Sequence, residues 1–312
     1  TMYAGAVSSG NGITDIGDKS VTITDTTVSD ASTLNTLNGY TSGVITADSV
    51  TALTGTASVL NTLLTAGNDT NQFSTNSFAS LATATVSDST MSIADLNGAI
   101  AQANTATGKS TSEAGATVFS VSSGATINTG AEAAFETLLG SETNGLIELT
   151  DQNLTVDSGS ISVANAKLLA ATTTGTVTSA IDTTESVDSL KTLYDTGETN
   201  AYTITITADA GDATGSTAVE FNAINSATSV AVNMNNVTAL AASALSDVNT
   251  LALAINAGQF SNGGGLTTVA ISDSTIDATT LATARTIAGQ SFDGSANITI
   301  ASTDLSNTSN IT

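Results

Sequence analysis

The phrase Ile23-Thr24-Asp25-Thr26-Thr27-Val28 returns as Val86-Ser87-Asp88-Ser89-Thr90-Met91, as Leu149-Thr150-Asp151-Gln152-Asn153-Leu154 and as Ile271-Ser272-Asp273-Ser274-Thr275-Ile276. Each copy reads hydrophobe, Thr or Ser, Asp, two polar residues, hydrophobe. The starts lie 63, 63 and 122 residues apart, so the last gap is close to two periods. Self-similarity of this kind marks units that bury their apolar faces only against their neighbours. The spacing predicts that Ile23, Val86, Leu149 and Ile271 occupy equivalent inward positions.

Helical stretches tend to follow the phrase. Ser29 can cap a turn in which Leu34 and Leu37 are three residues apart, and Asn38-Gly39 supplies a stop. Val59, Leu60, Leu63 and Leu64 share one helical face, as do Ile93, Leu96 and Ile100. Similar faces recur at Phe135, Leu138 and Leu139, at Val163, Leu168 and Leu169, and at Val187, Leu190, Leu193 and Tyr194. The longest helical candidate is 236–256, with Leu240, Leu245, Val248, Leu251 and Ile255 on one side. Between these stretches Thr alternates with Val or Ile, as in Tyr202-Thr203-Ile204-Thr205-Ile206-Thr207, which is the period-2 signal of half-buried strands.

The expected fold is therefore mainly β with short helices, in an elongated repeat architecture. A right-handed parallel β-solenoid with layers ~4.8 Å apart fits best. An intertwined trimeric β-fibre is the competing arrangement. The expected divisions are a strand-turn-helix repeat array over 1–200, a β-rich unit with a longer helix over 201–265, and a terminal repeat over 266–312. The opening in mid-pattern suggests a segment of a longer chain.

Composition agrees with a folded chain of thin layers. Hydrophobic residues are 40% and charged residues 11%, the reverse of a disordered composition. Aromatics are 4%, and Trp, Pro, Cys and His are absent. Without Pro, no strand loses a ladder donor. Without Cys there are no disulfides or thiolate sites, and without His there is neither a Ser-His-Asp triad nor a His metal site. Five basic residues face 28 acidic ones, a formal charge of −23. That excludes the Lys/Arg clusters that nucleic acid and anionic bilayers require. No apolar run reaches the ~20 residues of a membrane span.

Carboxylate pairs such as Asp209/Asp212 and Glu132/Glu136 have the spacing of an acid–base couple, yet with 28 acids close pairs arise by chance. The repeated Asp25, Asp88, Asp151 and Asp273 have two readings. One is a turn or cap role for the short side chain. The other is shared Ca²⁺ between stacked layers, although the chain has neither an EF-hand loop nor the Gly-Gly-x-Gly-x-Asp nonapeptide. Gly263-Gly264-Gly265 reads as a turn. Asn-x-Ser/Thr triplets at Asn68, Asn153, Asn236, Asn297 and Asn307 are expected by chance. No catalytic residue and no cofactor emerges.

Near the end, Leu281-Ala-Thr-Ala-Arg285-Thr-Ile-Ala-Gly-Gln-Ser-Phe292-Asp-Gly-Ser-Ala-Asn-Ile-Thr-Ile300 resembles a segment common in bacteriophage tail fibres and other virion appendages. Residues 20–66 are similar to long repeat proteins of marine cyanobacteria and their phages. The resemblance implies a non-enzymatic structural protein of a virion fibre or appendage, oligomeric and commonly trimeric, that contributes to host attachment. Its implied partners are copies of itself, other virion or envelope proteins, and a host surface glycan. Its implied location is the virion or the cell surface. A bacterial S-layer, sheath or adhesin repeat protein is the alternative, and a polysaccharide-degrading β-solenoid the remote one.

Overall fold

The computed structural model describes residues 17–109, 115–196, 200–207, 215–261, 263–273, 285–287 and 290–292. The chain divides into two compact units, Thr1–Asp182 with Thr199–Thr203, and Thr183–Glu198 with Ile204–Thr312.

In the first unit, strands β1 (Val21–Thr22) and β2 (Thr27–Val28) lead into helix α1 (Ser32–Tyr40). Next come β3 (Ile45–Thr46), β4 (Ala52–Gly55) and α2 (Ala57–Gly67), then β5 (Thr83–Val86), β6 (Thr90–Ser92) and α3 (Ile93–Thr107). The pattern continues with β7 (Val118–Val121), β8 (Thr126–Asn128) and α4 (Glu132–Thr143), then β9 (Ile147–Glu148), β10 (Asn153–Ile161) and α5 (Val163–Thr172). Strands β11 (Val177–Ile181) and β12 (Ala201–Thr203) complete it. Two five-stranded parallel sheets result, in the orders β2-β4-β5-β7-β9 and β6-β8-β10-β11-β12. Parallel neighbours need a crossover, and the helices supply most of them.

The second unit holds α6 (Val187–Leu190), α7 (Ala218–Ser226), β13 (Val232–Asn233), β14 (Ala239–Ser243), α8 (Leu245–Asn256), β15 (Phe260–Ser261) and β16 (Thr268–Ile271). Strand β13 pairs with β15 and β14 with β16, both parallel. Strands β17 (Arg285–Ile287) and β18 (Gln290–Phe292) form an antiparallel pair.

The expectation of a mainly β chain, solenoid or trimeric fibre, is corrected: the fold is mixed α/β and 37% helical, with eight α-helices among the described residues. The helices are long where the sequence suggested corners, α3 running 15 residues while most strands have two to five. Thr misleads here. A β-branched residue lowers helix propensity, but in these helices its hydroxyl donates to the carbonyl one turn back. Thr36 bonds Ser32, Thr62 bonds Ser58, Thr105 bonds Ala101, Thr137 bonds Ala133 and Thr250 bonds Ser246 in this way. The 236–256 helix is likewise shorter than expected, because Leu240 belongs to β14 and α8 begins at Leu245.

The strand registers also revise the period. Leu53 pairs with Ala84, Ala84 with Phe119, and Phe119 with Ile147, giving one buried row. A second row runs Met91, Ile127, Leu154, Val177. Partners are 23 to 36 residues apart, so phrases 63 residues apart are two layers apart, with Ile127 between Met91 and Leu154. Val28 pairs instead with Leu53, in the other sheet, so the first copy of the phrase is out of register with the second and third. Val86 is fully buried and Leu149 6% exposed, whereas Ile23 and Ile271 are half-buried.

Helices α2, α3 and α4 turn their apolar stripes onto these strands: Leu60, Leu63 and Leu64 of α2, Leu96, Ala99, Ile100 and Ala103 of α3, Phe135 and Leu138 of α4. Burying a Leu, Ile or Phe contributes roughly 1.5–3 kcal/mol, so small side chains packed in many layers suffice without Trp.

Candidate functional site

The Asp residues of the recurring phrase sit in connecting segments outside the helices and strands, and three of their carboxylates, on Asp88, Asp151 and Asp273, bond to the preceding layer. Asp88 accepts the first backbone N–H of α2, from Ala57, at 2.7 Å. Asp273 does the same for α8, accepting from Leu245. Helix N-termini leave such donors unpaired and favour negative charge, so each contact caps a helix from 28 to 31 residues away. Ser243 plays the part for α7, accepting from Ala218 N at 2.9 Å. Asp151 accepts from the Ser123 hydroxyl and from Gly124 N at 3.1 Å, and these bonds, the hydroxyl's first, hold its carboxyl below the usual carboxylate range. Asp157, which the sequence did not single out, accepts from Thr129 N and Gly130 N, both at 3.0 Å, just ahead of α4. Asp25 is exposed in the turn between β1 and β2.

Asp88, Asp151 and Asp273 thus accept from the previous layer rather than from a following helix. Among the described residues no group of three or more Asp or Glu is placed to hold a metal ion.

Glu132 and Glu136 come together on one amide. Asn165 Nδ2 of α5 donates to Glu132 Oε1 at 2.7 Å and to Glu136 Oε1 at 2.8 Å. Glu132 Oε1 also accepts from Ser162 N at 3.0 Å and Ser162 Oγ at 3.1 Å. The Ser162 backbone bond, ahead of the amide and hydroxyl bonds, outweighs partial burial and lowers the Glu132 pKa. Asp209 and Asp212 lie outside the described residues.

The sequence did not reveal two sets of amide rungs, one between successive helices and one near the helix ends. Asn35 Nδ2 donates to Val59 O at 3.1 Å, Asn97 Nδ2 to Ala134 O at 2.8 Å and Asn222 Nδ2 to Asp247 O at 3.1 Å. In each case the acceptor is the third residue of the next helix. The second set links Asn to Gln 34 residues on: Asn38 to Gln72, Asn68 to Gln102 and Asn225 to Gln259, at 2.6, 2.8 and 3.0 Å. An Asn–Gln spacing of 34 was the available signal, legible only once the layer length is known.

A third device is a hydroxyl hinge after α1 and α5. Thr41 Oγ1 donates to Lys19 O at 2.7 Å and accepts from Gly43 N at 3.0 Å. Thr173 Oγ1 donates to Gln152 O at 2.6 Å and accepts from Gly175 N at 2.9 Å. In the second unit Lys191 bridges Asp188 and Glu220, its ammonium 2.8 Å from Glu220, and these bonds raise its pKa.

Within the segment resembling tail fibres, Arg285 pairs with Phe292, Thr286 with Ser291 and Ile287 with Gln290. The rest of that segment, and Asn297 and Asn307, lie outside the described residues. Among the described residues no helix is long and apolar enough to cross a membrane. No family model, curated protein or solved structure matches the chain.

Proposed function

We propose that this chain is a non-enzymatic structural protein of a virion fibre or appendage, contributing to host attachment. The observation that carries the reading is the use made of its polar side chains. Asp88 and Asp273 cap helices of the preceding layer, Asp151 and Asp157 tie down turns, and the Asn and Gln amides pin helix to helix. Chemistry placed in this way joins layers, which is what a scaffold requires. The resemblance of Leu281–Ile300 to tail-fibre segments supplies the virion, and copies of itself, other virion proteins and a host surface glycan are the partners that follow.

Immunogold electron microscopy of the native assembly, with antibody raised against this chain, tests the proposal. Label along tail or baseplate appendages is the expected result. Label over a bacterial envelope would overturn it in favour of a surface-layer, sheath or adhesin protein. Release of reducing sugar from host capsule by the purified chain would overturn the non-enzymatic part.

A further inference from the structure

The seam between α4 and α5 differs from the other helix seams in the direction and number of its bonds: between α2 and α3 Asn61 Nδ2 also reaches a carboxylate, Asp95 Oδ1, but at 3.5 Å and with the donor on the earlier helix. Between α1 and α2 the rung is amide to carbonyl, Asn35 to Val59, with Asn38 reaching the Gln72 amide oxygen just beyond α2. Between α3 and α4 Asn97 donates to Ala134 O. At α4 and α5 the polarity reverses: Glu136 stands at the fifth position of its helix, which Asn97 occupies in α3, and Asn165 of the next helix becomes the donor. Glu132 joins it, one oxygen collecting Ser162 N, Ser162 Oγ and Asn165 Nδ2. Four donor contacts from the start of α5 thus end on two carboxylates of α4.

We propose that this seam is an acid-sensitive latch: deprotonated Glu132 and Glu136 hold the N-terminus of α5 against α4, and protonation of the pair loosens that seam ahead of its neighbours. Hydrogen bonds to a charged acceptor are about twice as strong as neutral ones, so the rung weakens when the charge is lost. The sign follows from linkage. Glu132 has a folded pKa below its unfolded value, so its contribution is complete above the ordinary Glu range and disappears as pH falls through the folded value. Charged groups on the elements packed against α4 are Asp95 of α3, Glu148 of β9, Asp157 of β10 and Lys167 of α5, with Glu142 on α4 itself. With these charges nearby, the response of the pair is isolated by substitution. Acid also reduces the net charge of −23, which relieves repulsion elsewhere rather than weakening it.

The test is hydrogen exchange with mass spectrometry on the full chain, from neutral pH to about pH 3.5, with opening corrected for intrinsic exchange. The α1–α2 seam serves as the internal reference. Opening of 132–143 and 163–172 is expected to rise about tenfold for each pK unit between the unfolded and folded carboxyl, while the reference seam lags. E132Q/E136Q replaces the charge with a neutral acceptor, and its opening at neutral pH is expected to reach the wild-type acid level, with no acid response beyond that of the reference seam. E132Q alone should recover most of that effect, since Glu132 takes three of the four contacts. A double variant that keeps the acid response, or that stays as closed as wild type at neutral pH, overturns the proposal.

Discussion

Substituting Gly175 with Ala probes the layer spacing most directly. The added Cβ would overlap the carbonyl oxygen of Gln152 and lie 2.6 Å from its carbon and 2.7 Å from Asp151 O. These are backbone atoms of the preceding layer, fixed by the Thr173 hydroxyl and by the buried Gln152 side chain, whose Oε1 accepts from Thr150 N at 2.7 Å. No side chain can swing away. Overpacking costs roughly 1–3 kcal/mol, and a rigid backbone neighbour places G175A near about 3 kcal/mol. For a unit of this length each kcal/mol shifts Tm by about 2–4 °C, so a fall of about 6–12 °C is expected in thermal unfolding followed by circular dichroism. Gly140 is the matched control. It lies inside α4 with nothing within 4 Å of an added Cβ, so G140A should stabilise by about 1 kcal/mol through helix propensity and a less flexible unfolded chain. Opposite signs for the same chemical change isolate the contact. A G175A variant within about 0.5 kcal/mol of wild type would refute the close approach of the layers at this hinge.

Two further outcomes follow from the same bonds. Asn97 donates to Ala134 O while its own Oδ1 is buried without a partner, so N97A should change stability by no more than about 1 kcal/mol, whereas N97D, which sets a carboxylate against that carbonyl, should cost about 2 kcal/mol or more in urea unfolding. Removing the cap with D88A should cost about 1 kcal/mol, and Ca²⁺ should raise Tm no more than NaCl at matched ionic strength; a Ca²⁺-specific rise that disappears in D88A would restore a metal role for that carboxylate.

Much of the local pattern was legible. The apolar faces of α2, α3 and α4 were visible as Leu60–Leu63–Leu64, Ile93–Leu96–Ile100 and Phe135–Leu138, because a 3.6-residue period survives in any sequence that buries one helix face. The α/β balance was not. Thr alternation argues for strands on propensity alone, and the compensating bond from Thr Oγ1 to the carbonyl one turn back is a property of the helix already formed. The repeat length read from the phrase was twice the layer length for a related reason. Ile127, which lies between Met91 and Leu154, enters through Ser123-Gly124-Ala125 rather than Ser-Asp, so the intermediate layer carries the fold without the phrase.

The same argument explains why the Asp residues were found but their role was left open between two readings. A helix cap is recognised in sequence when donor and acceptor belong to one turn, as in Ser92 with Ala94 or Ser162 with Asn165. Here the acceptor for Ala57 is 31 residues downstream, for Gly124 27 and for Leu245 28. No local pattern joins such partners, because their distance in sequence is the length of a layer and varies with every turn between them. The Glu132–Asn165 latch shares that property, and the Asn–Gln rungs, constant at 34 residues, become readable only once the layer length is known. What the chain writes locally is which residue types are polar and short enough to reach across one layer spacing; which atom they reach is decided by register, and register exists only once neighbouring layers have stacked. Acidic side chains that look unengaged along the chain therefore become the bonds between its layers, and the surplus of carboxylates over cations needs far fewer partners than the net charge implies.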